Sequence, residues 1–572
     1  MRRGLVVTGG VVLLSCAIAA MGLASGPSSD AEEGLPRVRP EAIRAHLAFL
    51  ADDALGGRGT GSPGYELAAK YIRAQLMAFG ATSGPGHPDS FQNVPLVRTR
   101  VDPQATRFEV KGPGAARQLV YGTDYVLLDT HRDSEGGASA RVVFVGYGVT
   151  APELGYDDYA GLDVKGAIVA YLEFESPPTF APAVRAHYAD HDGKRANAAR
   201  HGAIGVIEVR SPAEESRLPW AGLLRELQTG WNSLRWLDVD GTPGGLNDQV
   251  RVIAILNRSG ADVLFGGEAH DARDVFAAAE KGRPPRFALS KTVTAHFGAR
   301  HERVESVNVV AAFPGSDPTL RNEYVVYTAH VDHLGIGPVV DGDAVYNGAM
   351  DNAAGCAVLL EIVRAFGALP ERPRRSVMFV FVTGEEAGLL GSDYFAHHPP
   401  VPLDRIVANI NIDGGASLVP VSDVIAWGAQ HSTLGGVAMR AATRVGLSVS
   451  PDPFPEEGLF VRSDQYSFVK FGVPALFISV GVKGTTPGVD ALAVLKKWLV
   501  TTYHSPKDDV TQPIHYETSA KFAGFAFVLG HTIAMESQRP RWNDNDFFER
   551  RRTLARAVLS TAPGAWRADP AW

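Results

Sequence analysis

A chain of 572 residues is too long for one ordinary hydrophobic core, so two or more domains are expected. Hydrophobic residues make up 45% and charged residues 21%, the balance of a globular protein in water. A formal net charge of −8 argues against nucleic acid or an anionic surface as the main partner.

The first stretch reads as an address. Arg2 and Arg3 precede GLVVTGGVVLLSCAIAAMGLASG, an apolar run ending in small residues, which suggests an export signal over 1–24. Two cleavage routes compete. Gly22-Leu23-Ala24 suits an ordinary signal peptidase, whereas Leu13-Leu14-Ser15-Cys16 resembles a bacterial lipoprotein box that puts a lipid on Cys16. The run is also long enough to span a bilayer if left uncleaved. Membrane attachment is therefore expected only through Cys16 or an uncleaved signal. Each route exports the protein, to the periplasm, the cell envelope or the medium. The only other cysteine, Cys356, lies in an apolar helical pattern and reads as core.

PEAIRAHLAFLADD and GYELAAKYIRAQLMAFG show helical spacing, with the Gly-rich loop LGGRGTGSPG between them. That loop lacks the Lys-Ser/Thr ending and the preceding strand of a phosphate loop. Residues 36–130 are assigned to the main domain. Short β-like runs follow, ARVVFVGYGV and GAIVAYLEF, then NAARHGAIGVIEV as helix, turn and strand, then RVIAILN and the helical SGADVLFGG. Residues 131–292 read as a small inserted α/β module. The main pattern resumes over 293–540 with EYVVYTAHVD, SVMFVFV, IVANINID and VPALFIS as strands, and GCAVLLEIVRAF and SAKFAGFAFVLGHTIAM as helices. Residues 541–572 read as a charged tail. Strands alternating with helices predict an α/β fold with a mixed, mostly parallel sheet covered on both faces, and function at the carboxyl ends of its strands.

Those ends carry a consistent chemistry. His330 and Asp332 close one strand and Asp351 precedes a helix. Glu385 and Glu386 follow SVMFVFV, Asp413 follows IVANINI, and His504 sits in TTYHSPKDD. Carboxylates and neutral imidazoles suit zinc, and the donors suffice for two metals sharing a bridging carboxylate. Two adjacent glutamates at the end of a buried strand repel each other unless cations hold them. A metal would bind one of the pair and leave the other to take a proton from water.

In order and spacing, HVDHLG, YNGAMDNAAG, TGEEAGLLGS, NIDG and YHSPKDD resemble the co-catalytic di-zinc aminopeptidases of the bacterial leucyl aminopeptidase type, kin to glutamate carboxypeptidase. The insert, through GYGV, YDDYAGLDVKGAIV and HGAIGVI, resembles a protease-associated domain. The resemblance implies a zinc-dependent exopeptidase fold, two Zn²⁺ per chain and peptide substrates with a free N-terminus. It implies that His330, Asp351 and Asp413 hold one zinc and that Asp351, Glu386 and His504 hold the other. It makes Glu385 the general base and lets Asp332 orient a ligand without binding metal. It also implies a cis peptide after Asp351.

Four further residues are candidates for substrate or supporting contacts. His333 either lines the pocket or makes a structural hydrogen bond. Asp464 lies in RSDQYSF, where relatives often have His at the position of Gln465. Tyr503 either donates to an intermediate or packs. Arg462 in a pocket would favour a substrate carboxylate; a solvent-facing role is the plainer reading. The alternatives are a carboxypeptidase or other amide hydrolase on the same scaffold, or a non-catalytic receptor-like protein, which loss of a ligand residue would have favoured. None is lost.

Overall fold

The computed structural model describes residues 36–128, 133–229, 233–245 and 249–550. The expected export signal and Cys16 lie outside these residues, as does the chain beyond residue 550. From Arg37 on, the described residues form one compact unit.

One large sheet organises that unit. Its central strands are Ser376–Val382, Tyr324–His330, Ile406–Ile412 and Ala475–Val480, and neighbours in this series run parallel. Asp423–Trp427 adds antiparallel to Ala475–Val480. Every residue of Ser376–Val382 is buried, as expected for a strand covered on both faces. The pleat sends alternate side chains to opposite faces. Met378, Val380 and Val382 pack against Phe395 and Phe468 on one side. Phe379 meets Tyr327 and Phe366 on the other, beneath the helices Ala354–Gly367 and Tyr516–Met535.

Two long antiparallel strands, Phe91–Lys111 and Phe287–Phe313, extend the sheet beyond this core. They pair from Phe91 opposite Val309 to Lys111 opposite Thr292, with a bulge at His296–Gly298. Glu135–Phe144 pairs with the second of them and starts a further parallel series, Ile168–Leu172, Gly205–Val209 and Ile253–Leu256. Tyr125–Leu128 closes that edge, antiparallel to Ile253–Leu256, although it lies ahead of residue 131. The β-rich segment therefore continues the main sheet.

The helix Pro182–Ala189 of this segment packs back onto the other half of the chain. Val184 joins Phe460, Val461 and Tyr466 in one apolar cluster. Trp542, Phe547 and Phe548 belong to the same cluster, so the start of the expected tail is docked in the core. Its anchoring aromatics are scattered among charges and show no helical or strand period. Among the described residues, no helix is long and apolar enough to cross a membrane.

Candidate metal centre

The strand-end residues meet in one cleft. His330 ends its strand beside Val382, the residue from which the chain turns to Glu385. His330 Nε2 lies 3.3 Å from Asp351 Oδ1 and 3.3 Å from Asp413 Oδ1. Asp351 Oδ2 lies 3.2 Å from His504 Nε2, which is also 3.2 Å from Glu386 Oε2. Asp351 thus offers one oxygen to each of two imidazoles. His333 Nδ1 lies 2.6 Å from Glu386 Oε1, so His333 belongs to the cluster itself.

The loops are held by side chains that reach main-chain groups. The Asp332 carboxylate accepts the amides of Glu385 (3.2 Å) and Glu386 (3.3 Å), and Thr60 adds a hydroxyl at 3.1 Å. His330 Nδ1 is 4.0 Å from that carboxylate but 3.1 Å from the carbonyl oxygen of Asp332. Asp332 therefore orients the imidazole with its backbone and the Glu385–Glu386 turn with its side chain. The Asp508 carboxylate accepts the amides of Met350 (2.9 Å) and Asp351 (3.1 Å). Asn352 donates to Ile412 O and accepts the amides of Gly355 and Gly414, tying the Asp351 loop to the Asp413 loop. Ser463 donates to Asp413 Oδ2 at 2.8 Å. The Asp351–Asn352 peptide is cis. Gly348 has φ 57°, and a Cβ there would sit 2.1 Å from Asp351 O and 2.4 Å from the His333 ring, so only glycine fits.

Arg58, from the Gly-rich loop, fixes the same region from below. Its buried guanidinium donates to the carbonyls of Val331 (2.8 Å), Asn347 (2.6 Å), Gly348 (3.0 Å) and Leu50. Arg58, Asp508, Asn352 and Ser463 are absent from the sequence-based candidates. Asp508, Asn352 and Ser463 lie within YHSPKDD, YNGAMDNAAG and RSDQYSF, and that proximity to named candidates was the available signal.

The environment separates the two glutamates. Burial pushes the Glu385 carboxyl well up, with Asp413 and Asp464 adding to the effect despite His330. Burial would also raise Glu386, but His504 and His333 hold it down, to about 2. Neighbouring carboxyls driven apart in this way are suited to different tasks. Asp464 is fully buried, neither of its oxygens has a well-directed hydrogen bond, and burial pushes its carboxyl up to about 7. Gln465 is structural, accepting from Asn411 and donating to Phe460 O. Tyr503 stacks on His504 at 3.8 Å. Arg462 pairs with Glu457 at 2.9 Å, both half-exposed. Cys356 is buried and free beneath the cleft. Away from the cleft, His431 pairs with Asp546, His515 caps a helix, and His397 and His398 bond backbone carbonyls.

This donor set fits zinc. His330, Asp351 and Glu386, and likewise His330, Glu385 and Asp413, bring possible ligand atoms within 4.8 Å of one another. Burial opposes protonation of His330, yet Glu385 and Asp413 overcome it and hold its pKa well above the usual value, the signature of a cleft that attracts cations. His504 Nε2 is buried 3.2 Å from two carboxylates without a well-directed hydrogen bond to either. That geometry suits donors converging on an ion.

Residues 308–528 match the model of Peptidase family M28. It is 22% identical over 347 residues to a probable leucine aminopeptidase 2 of Aspergillus oryzae (strain ATCC 42149 / RIB 40), covering 54% of this chain and 65% of that one. It is 38% identical over 122 residues to Aminopeptidase NAALADL1 of Mus musculus, covering 20% and 14%. The chain thus spans less than two thirds of either relative. Among solved structures, it resembles an aminopeptidase from Aneurinibacillus sp. strain AM-1, with 20% identity, a TM-score of 0.48, and coverage of 89% of this chain and 95% of that one.

Proposed function

We propose that this protein is an exported two-zinc exopeptidase that removes N-terminal residues from peptides. The observation that carries the reading is Asp351, with one oxygen 3.3 Å from His330 Nε2 and the other 3.2 Å from His504 Nε2. In this reading His330, Asp351 and Asp413 would hold one metal, and Asp351, Glu386 and His504 would hold the second. Bound zinc supplies Lewis acidity toward the scissile carbonyl and the attacking water. Glu385 takes the proton of that water and returns it to the leaving amine. Asp332 holds the turn that carries Glu385 and Glu386 by accepting both their amides. The excess of carboxylates in the cleft favours a protonated substrate amine, and hence an N-terminus. Arg462, the residue that would favour a carboxypeptidase, is engaged by Glu457. The apolar segment at 1–24 is read as the export signal, and 131–292 as a protease-associated-like insert.

The test is hydrolysis of a panel of aminoacyl-p-nitroanilides before and after chelation, with zinc added back and zinc counted by mass spectrometry. Activity lost with chelator and restored by zinc, at two zincs per chain, supports the reading. Silence across the panel with two zincs bound would transfer the assignment to C-terminal or non-peptide amides.

A further inference from the structure

A cavity of about 1400 Å³ opens beside the cleft. Glu385, Glu386 and Tyr503 line it on one side, and the inserted segment walls it on the other. The wall is rich in arginines, and most are already engaged. Arg210 pairs with Glu173 at 2.9 Å, Arg217 with Glu214 at 2.7 Å, and Arg235 with Asp192 at 2.5 Å. Arg185 differs. It is half-buried and lines the cavity, and among the described residues its guanidinium has neither an ion-pair nor a hydrogen-bond partner. Among the described residues Arg100 has no ion-pair or hydrogen-bond partner either, but it is exposed.

The helix that carries Arg185, Pro182–Ala189, is firmly seated. Its Val184 is buried against Phe460, Val461 and Tyr466. His187 on the same helix contacts the Tyr466 hydroxyl. Gly458, at φ 61°, leaves room for Ala186, whose methyl would lie 2.4 Å from any Cβ there. The segment under this helix includes Ser463, which holds Asp413. Arg185 and the candidate metal centre therefore share one frame. A guanidinium that faces the cavity with no protein partner is free to meet an anion there, and its planar fork matches a carboxylate.

We propose that Arg185 anchors a carboxylate on the leaving-group side of a short peptide, which makes short peptides with a free, anionic far end the preferred substrates. The inference rests on the aminopeptidase reading above. The carboxylate has two sources, the peptide C-terminus or an acidic side chain beyond the scissile bond.

The experiment compares the full-length enzyme with Arg185→Gln and Arg185→Lys on four substrates: leucyl-p-nitroanilide, Leu-Gly-Gly as free acid, the same peptide as its amide, and Leu-Gly-Asp amide. The expected result is a kcat/KM for the free acid on the order of tenfold above that for the amide, collapsing toward unity in Arg185→Gln through KM and partly retained in Arg185→Lys. Anilide turnover should stay within about twofold of the parent, since that substrate has no anion to anchor. A gain confined to Leu-Gly-Asp amide would assign the anchor to side chains; a gain confined to the free acid would assign it to the C-terminus. Equal parental rates on Leu-Gly-Gly acid, its amide and Leu-Gly-Asp amide, or a preference for either anionic peptide that is unchanged in Arg185→Gln, would overturn the proposal. Silence on all four substrates would sink the aminopeptidase reading instead. The acid-to-amide ratio of dissociation constants, measured by calorimetry, would then still decide whether Arg185 is an anchor.

Discussion

Arg58 offers the sharpest test of how this centre is held. Its guanidinium is 1% exposed and donates to four backbone carbonyls, on Leu50, Val331, Asn347 and Gly348. Val331 lies between His330 and Asp332, and Asn347 and Gly348 lead into the Asp351 loop. One side chain therefore ties together the two loops that supply His330 and Asp351. Arg58→Met keeps an unbranched apolar stem and removes every donor. Each orphaned buried carbonyl costs roughly 1 kcal/mol or more, so the variant should lose about 3–5 kcal/mol. That is a large part of the roughly 5–15 kcal/mol by which a native protein is usually stable. Arg58→Lys keeps the charge but cannot fork to all four acceptors, and should lose about half as much by the same reasoning. Because the freed loops carry candidate ligands, zinc retention should weaken by about 10- to 100-fold, the range seen when groups supporting a metal ligand are removed. Thermal unfolding of the metal-loaded and chelated forms, with zinc titration by competition against a chromophoric chelator, measures both effects. A parental unfolding midpoint and parental zinc affinity in Arg58→Met would refute the argument.

Glu385→Gln should keep its zinc and lose on the order of 10²–10⁴ in kcat, the usual worth of a positioned base; parental turnover would remove Glu385 from that role. Asp351→Ala should fail to hold two zincs and should unfold at lower temperature, because both imidazoles lose the carboxylate between them; two zincs retained on dialysis would show the bridge is misplaced. Far from the centre, burial raises the Asp158 carboxyl to about 6, although it accepts bonds from Val149 N and Tyr156 Oη. A raised native pKa means that the folded state binds the proton more tightly. The associated stability is present below pH 4 and lost as pH rises through about 6, with a span of roughly 3 kcal/mol. Melting temperatures of the parent relative to Asp158→Asn should therefore fall from pH 4 to pH 7; a constant difference would contradict the shift.

The parts legible in the sequence share one property: their information is local. SVMFVFV, EYVVYTAH and IVANINI announce themselves as buried parallel strands because every position is apolar or nearly so, and the charged residues at their ends stand out by contrast. His330, Glu385, Glu386 and Asp413 needed only the rule that such ends meet on one rim. Asp351 and His504 lie on turns and became visible through motif spacing. The residues that hold the rim together were not legible, because their partners are main-chain groups distant in sequence. Arg58 binds the carbonyls of Val331, Asn347 and Gly348, and Thr60 binds Asp332; no pairing of side-chain types marks either interaction. Asp332 illustrates the same limit. Its carboxylate was expected to orient a metal ligand; in three dimensions it accepts the amides of Glu385 and Glu386. The cavity wall lies further still from sequence reading. Arg185 becomes notable only when most other arginines of the cavity wall are seen to be paired, and pairing is a property of the folded assembly of side chains. Spacing can therefore nominate the groups that carry chemistry, but the groups that position them, and those that select a substrate, emerge only from which polar atoms the fold leaves satisfied and which it leaves open.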